Sequence, residues 1–145
     1  MAEKIIGTLS IDLGNTNTVL AFQGEKSSTP ILLEMPLITK SPGIVPTAIW
    51  FDENKGEKEI IGTEALKIFN ENNQEEYFYS NFKRLIGNPN EEYMERYLSP
   101  EEAGEKFFKR LWDYIPEIFV IKRLVLTAPI DTYKGYRRWL ISICN

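Results

Sequence analysis

Leu9-Ser10-Ile11-Asp12-Leu13-Gly14-Asn15-Thr16-Asn17-Thr18-Val19-Leu20 decides the reading of this chain. An apolar strand carries an acid near its end, a turn of small residues follows, and a second apolar strand begins. Ile5, Ile6, Leu9, Ile11 and Leu13 on one side, with Val19, Leu20 and Phe22 on the other, predict a tight antiparallel hairpin over residues 5–13 and 18–23. Gly14 tolerates positive φ, and Asn15 and Asn17 are the side chains that next best tolerate it. Successive amides in such a turn can form a concavity for an anion, with hydroxyl donors from Thr16 and Thr18. Asp12 is a hard oxygen group of the kind a Mg-phosphate takes, directly or through water. The same residues also suit an ordinary hairpin in which Asp12 caps its own turn.

Downstream, Ile31–Glu34 predicts a short third strand, Ile44–Phe51 a strand with Pro46 near its start, and Glu59–Ile61 a brief one. Thr63 reads as the N-cap of a helix over 64–70. Gly87-Asn88-Pro89-Asn90 is a strong stop. Ser99-Pro100-Glu101-Glu102 then opens a helix that carries Ala103, Phe107, Leu111 and Ile115 on one face up to Pro116. Arg123–Ala128 predicts a strand closed by Pro129, and Thr132–Cys144 a last helix. Strands first, then helix, strand and helix, describe an α/β protein with an antiparallel opening.

With 145 residues, 43% hydrophobic and 26% charged, the chain can bury a real core. A net charge of −4 with no basic face argues against nucleic acid as the main partner. The absence of histidine excludes Ser-His and Cys-His catalysis and His-ligated metals. A single cysteine, Cys144 in an apolar run, excludes an internal disulfide, reads as structural and suits a reducing compartment. No apolar run reaches membrane-spanning length, so the expected location is cytoplasmic and no membrane partner is expected.

Four segments together resemble the N-terminal ATPase domain of the seventy-kilodalton heat-shock (DnaK-type) chaperone family, within the actin, hexokinase and sugar-kinase superfamily. Ile11-Asp12-Leu13-Gly14-Asn15-Thr16-Asn17-Thr18 is similar to its first phosphate loop. Gly43–Phe51 with Ile61-Gly62-Thr63-Glu64-Ala65 resembles its next strand pair and helix start. Phe82-Lys83-Arg84-Leu85-Ile86-Gly87 resembles its lysine-bearing signature, and this run separates the chaperones from the rest of the superfamily. Leu126-Thr127-Ala128-Pro129 with Tyr136-Arg137 resembles its interdomain switch. The family usually has a threonine at Asn15 and a small-aromatic-aromatic run in place of Ile130-Asp131-Thr132.

The resemblance implies a ribonuclease H-like (actin-like) lobe over 1–145, its mixed sheet opening with antiparallel strands, and a small inserted α+β subdomain over about 35–115. It implies ATP or ADP with Mg as ligands, cradled by Gly14, Asn15, Thr16 and Asn17, with Asp12 facing the Mg through water. It makes Lys83 and Asp12 the catalytic pair: Lys83 would set a positive charge beside the γ-phosphate. Pro129 and Arg137 would relay nucleotide state to a peptide-binding domain. The second wall of the ATP cleft would lie beyond residue 145, leaving this piece inactive by itself and its open sheet edge prone to self-association. Unfolded peptide segments and co-chaperones would be the partners of the whole protein, in a stress response. A non-catalytic scaffold or regulatory relative, and another actin-like ATPase or sugar kinase, remain as alternatives.

Overall fold

The computed structural model describes residues 3–87, 95–128 and 134–144, which fold as an α/β unit of two sheets and three α-helices. Strict alternation builds the first strand pair. In β1 (Ile5–Leu13) Leu9, Ile11 and Leu13 point inward, while Asp12 between them is exposed. In β2 (Asn17–Gly24) Thr18, Leu20 and Phe22 point inward. The two are antiparallel, and the register runs from Gly7 opposite Gly24 to Leu13 opposite Thr18.

On the outer side of β2 lie β3 (Ile31–Leu32) and β4 (Ile44–Pro46), both antiparallel to it. β4 therefore belongs to the first sheet, although it falls inside residues 35–115. The expected single strand over Ile44–Phe51 is in fact two. It breaks at Thr47, whose N–H donates to the Thr16 carbonyl (2.9 Å) and whose hydroxyl bonds the Thr18 hydroxyl (2.7 Å). A backbone group committed to the hairpin turn cannot continue a ladder.

β5 (Ala48–Trp50) is then the centre of a second sheet, flanked antiparallel by β6 (Ile60–Ile61) and β7 (Phe78–Ser80). α1 (Gly62–Asn72) covers this sheet. Thr63 is not its N-cap. Ile61 holds that position, and the Thr63 hydroxyl instead donates to the Leu37 carbonyl (3.0 Å), so a tertiary acceptor outcompetes the local one.

α2 (Pro100–Asp113) starts as expected: the Ser99 hydroxyl accepts from the Glu102 N–H, and the Glu102 carboxylate accepts from the Ser99 N–H. Ala103, Phe107 and Leu111 are buried, while Ile115 lies beyond the helix end and is only half-buried. β8 (Phe119–Leu126) begins four residues before the expected Arg123 and runs parallel to β1, from Ile5 opposite Phe119 to Ile11 opposite Leu126. Parallel neighbours need a long crossover, which the second sheet and α2 supply. The first sheet runs β3-β2-β1-β8, so among the described residues β8 is an edge. α3 (Lys134–Cys144) completes the described chain, with Cys144 exposed.

One core joins both sheets with α2 and α3, while a smaller cluster of Ala48, Trp50 and Ala65 seats α1 on the second sheet. The larger core takes Leu9, Leu20 and Phe22 from the first sheet, Ile49, Ile61 and Tyr79 from the second, Phe107 and Leu111 from α2, and Tyr136, Trp139 and Leu140 from α3. Each large side chain fully buried in this way contributes about 1.5–3 kcal/mol.

Candidate functional site

Three residues, Gly14-Asn15-Thr16, link β1 to β2, and with Asn17, the first residue of β2, they form the loop closed by the Leu13–Thr18 pair. Gly14, Asn15 and Asn17 all keep negative φ, so the tolerance of left-handed backbone that their residue types offer is not used. Gly14 is required for a different reason. A Cβ there would sit 2.3 Å from the Asn17 carbonyl oxygen, inside any permitted contact. Asn15 and Thr16 are exposed, and Gly14 and Asn17 half-buried. Among the described residues the Gly14, Asn15 and Thr16 amides donate to no backbone carbonyl outside the strand ladders. The Thr16 carbonyl is turned the other way, onto Thr47.

A segment distant in sequence closes over this loop. The Asn15 Oδ1 accepts the backbone N–H of Arg84 (3.0 Å), across 69 positions of chain. Arg84 belongs to a single 3-10 turn, Lys83–Leu85, which hangs from the core by Phe82, Leu85 and Ile86. The turn brings the half-buried Lys83 to the loop's side, its Nζ 5.9 Å from the Tyr136 ring centroid. Gly87 and Gly135 make that approach possible: a Cβ on Gly135 would lie 2.8 Å from the Gly87 Cα. The Glu101 side chain accepts the Gly87 N–H (2.8 Å), and the Glu101 carbonyl accepts the Trp139 indole N–H (2.9 Å), which ties turn, α2 and α3 together.

Asp12 does not cap its own turn. Its Oδ1 accepts the Thr127 hydroxyl (2.6 Å), just past the end of β8. The parallel register explains the contact, since Leu126 opposite Ile11 delivers the next residue to Asp12. Tyr136, on the first turn of α3, faces the same region. Burial, with the Asp12 charge as a smaller contribution, pushes its phenol up to about 12. Its hydroxyl is therefore an O–H donor at any ordinary pH.

The structure thus brings together Asp12, Gly14, Asn15, Thr16, Asn17 and Lys83 of the expected site. Arg137 is exposed on α3, and Pro129 lies outside the described residues. Sequence reasoning gave Thr127 and Tyr136 no role of their own. The available signal was positional: a hydroxyl one residue past a strand parallel to the Asp12 strand, and an aromatic next to a glycine at a helix start.

Chemically, the shelf offers donors and positive charge around one carboxylate. The loop amides and the Lys83 ammonium suit an anion. Among the described residues no three His, Cys, Asp or Glu side chains gather as a metal cage. Asp12 as a single carboxylate fits a Mg²⁺ that keeps its waters and takes its remaining ligands from phosphate. No protein-family model matches the chain, and no curated protein matches it.

Proposed function

We propose that this chain is the phosphate-gripping first lobe of an actin-like, ribonuclease H-like ATPase, and that the whole protein is an ATP-dependent chaperone of the heat-shock type acting in the cytoplasm. The observation that carries the reading is the Asn15–Arg84 hydrogen bond, which holds the lysine-bearing turn against the amides of the loop. The two motifs lie about half the chain apart, and a shared anion gives a reason for them to meet. Unfolded peptide segments and co-chaperones are the partners this reading assigns to the whole protein, with no role for nucleic acid or membrane.

Under this reading the Gly14–Asn17 amides bind the β- and γ-phosphates of ATP, and Asp12 orients the waters of a bound Mg²⁺. Bound Mg²⁺ supplies neutralisation of charge on the phosphate oxygens. Lys83 sets a compact ammonium where negative charge grows during transfer, and Thr127 holds the Asp12 carboxylate in one orientation. Such phosphoryl chemistry depends on positioning and electrostatics more than on covalent participation, which suits a site without a nucleophile. Pro129 and Arg137 are assigned the relay to a peptide-binding domain.

Calorimetry of the protein with Mg-ATP tests the assignment. Binding is expected, and Lys83→Ala should weaken it by about tenfold, the usual worth of a charged hydrogen-bond partner. A protein that binds no Mg-ATP, or a Lys83→Ala variant with unchanged affinity, contradicts the proposed roles.

A further inference from the structure

The 3-10 turn Lys83–Leu85 has two different sides. Phe82, Leu85 and Ile86 are buried in the core, whereas Lys83 is half-buried and Arg84 exposed. Inside the turn the Leu85 N–H donates to the Phe82 carbonyl (3.0 Å) and the Ile86 N–H to the Lys83 carbonyl (3.2 Å). Neither bond uses the Arg84 N–H, which at the start of so short a turn has no acceptor within it. The turn's own N-cap, Phe82, has no side-chain oxygen to offer. Asn15 supplies the acceptor from the other motif, its Oδ1 3.0 Å from the Arg84 nitrogen. It therefore caps the lysine turn from outside. The partner also decides which end of the Asn15 amide does this, because an N–H calls for the oxygen. An acceptor oxygen has nothing to give an anion; what it holds is the main chain beside the Lys83 ammonium.

We infer that the Asn15 side chain is a positioning residue for Lys83: it fixes the 3-10 turn beside the loop, so that the ammonium and the loop amides address one phosphate group together. The inference rests on the phosphate-site reading above and deepens it, making the two motifs one unit instead of two independent contacts. The buried anchors hold only the core side of the turn. Lys83 itself is a compact charge on a flexible stem, so its reach is set by where its main chain is held. Ordering a loose turn and its side chain during binding costs affinity, and a turn already capped by Asn15 avoids much of that loss.

Mg-ATP titrations of four forms of the 145-residue chain test this, followed by amide shifts, which register weak binding: the parent, Asn15→Ala, Lys83→Ala and the double variant. If Asn15 acts through Lys83, Asn15→Ala weakens binding several-fold, up to the roughly tenfold loss expected of Lys83→Ala. The double variant then binds no more weakly than Lys83→Ala by itself, because the second change removes nothing further. Without ligand, the Arg84 amide should exchange with water faster in Asn15→Ala, and Asn15→Asp, which keeps an acceptor, should restore slow exchange. Losses that multiply in the double variant overturn the inference, since Asn15 would then meet the ligand or shape the loop directly, and they leave the phosphate site standing. So does an Asn15→Ala affinity equal to the parent's. Fast Arg84 exchange in both Asn15 variants, or an Asn15→Ala chain unfolded at the titration temperature, overturns it as well. If the parent chain binds no Mg-ATP, the phosphate-site reading itself fails and the role of Asn15 falls with it.

Discussion

Asn15 joins the two halves of the site with one side-chain oxygen. Its carbonyl accepts the Arg84 N–H, a bond that needs an acceptor of this length at this position. Asn15→Ala should cost about 0.5–1.5 kcal/mol, the net worth of one such hydrogen bond. Asn15→Asp keeps an acceptor and should recover the stability, while its negative charge weakens anion binding at the loop. Denaturant unfolding of both variants checks this; equal loss in both would show that the bond to Arg84 contributes nothing. Asp12 and the loop stand out in the sequence by residue type, and Lys83 only through the resemblance carried by Phe82–Gly87. Tyr136 and Thr127 were not legible as site residues, since a tyrosine and a threonine become informative only when their neighbours are known. Gly14 stands out in the sequence for its tolerance of positive φ, whereas its use is close approach of the Asn17 carbonyl.

At the scale of elements, local signals were readable wherever local chemistry decides the outcome. The hairpin follows from alternation, and the start of α2 follows from Ser99, Pro100 and Glu102. The misread elements are those decided by distant partners. Thr47 breaks its strand to reach Thr16, and the Thr63 hydroxyl reaches back to Leu37. β8 begins at Phe119 because β1 offers a parallel ladder that far back, which periodicity within β8 cannot announce. That strand also carries a prediction. It is an edge among the described residues and exposes Val120, Leu124 and Val125. Lys122, paired with Glu25 at 2.8 Å, and the exposed Arg123 are the charges this strand carries. Edges of this kind template pairing with a second copy. Sedimentation should therefore show concentration-dependent association of the chain, and Val125→Lys should reduce it. Association that is unaffected by this change would place the contact elsewhere.

The whole molecule is arranged so that four separate parts of the chain meet at one end of the first sheet. The β1–β2 loop arrives by hairpin, Thr127 by the parallel strand, the Lys83 turn from beyond the second sheet, and Tyr136 on α3. Composition and order of elements made the α/β class legible. The convergence was not legible from residue patterns alone, because it depends on a crossover of about a hundred residues between β1 and β8. Among the described residues no helix is long and apolar enough to cross a membrane. The central claim is that this surface grips phosphate. Its most direct test is a titration of the ¹⁵N-labelled chain with Mg-ATP, following every amide. The account predicts progressive shifts at Gly14–Asn17, at Lys83 and Arg84 and at Tyr136, with the β8 edge unmoved. Shifts confined to β8, or none at millimolar nucleotide, would contradict it.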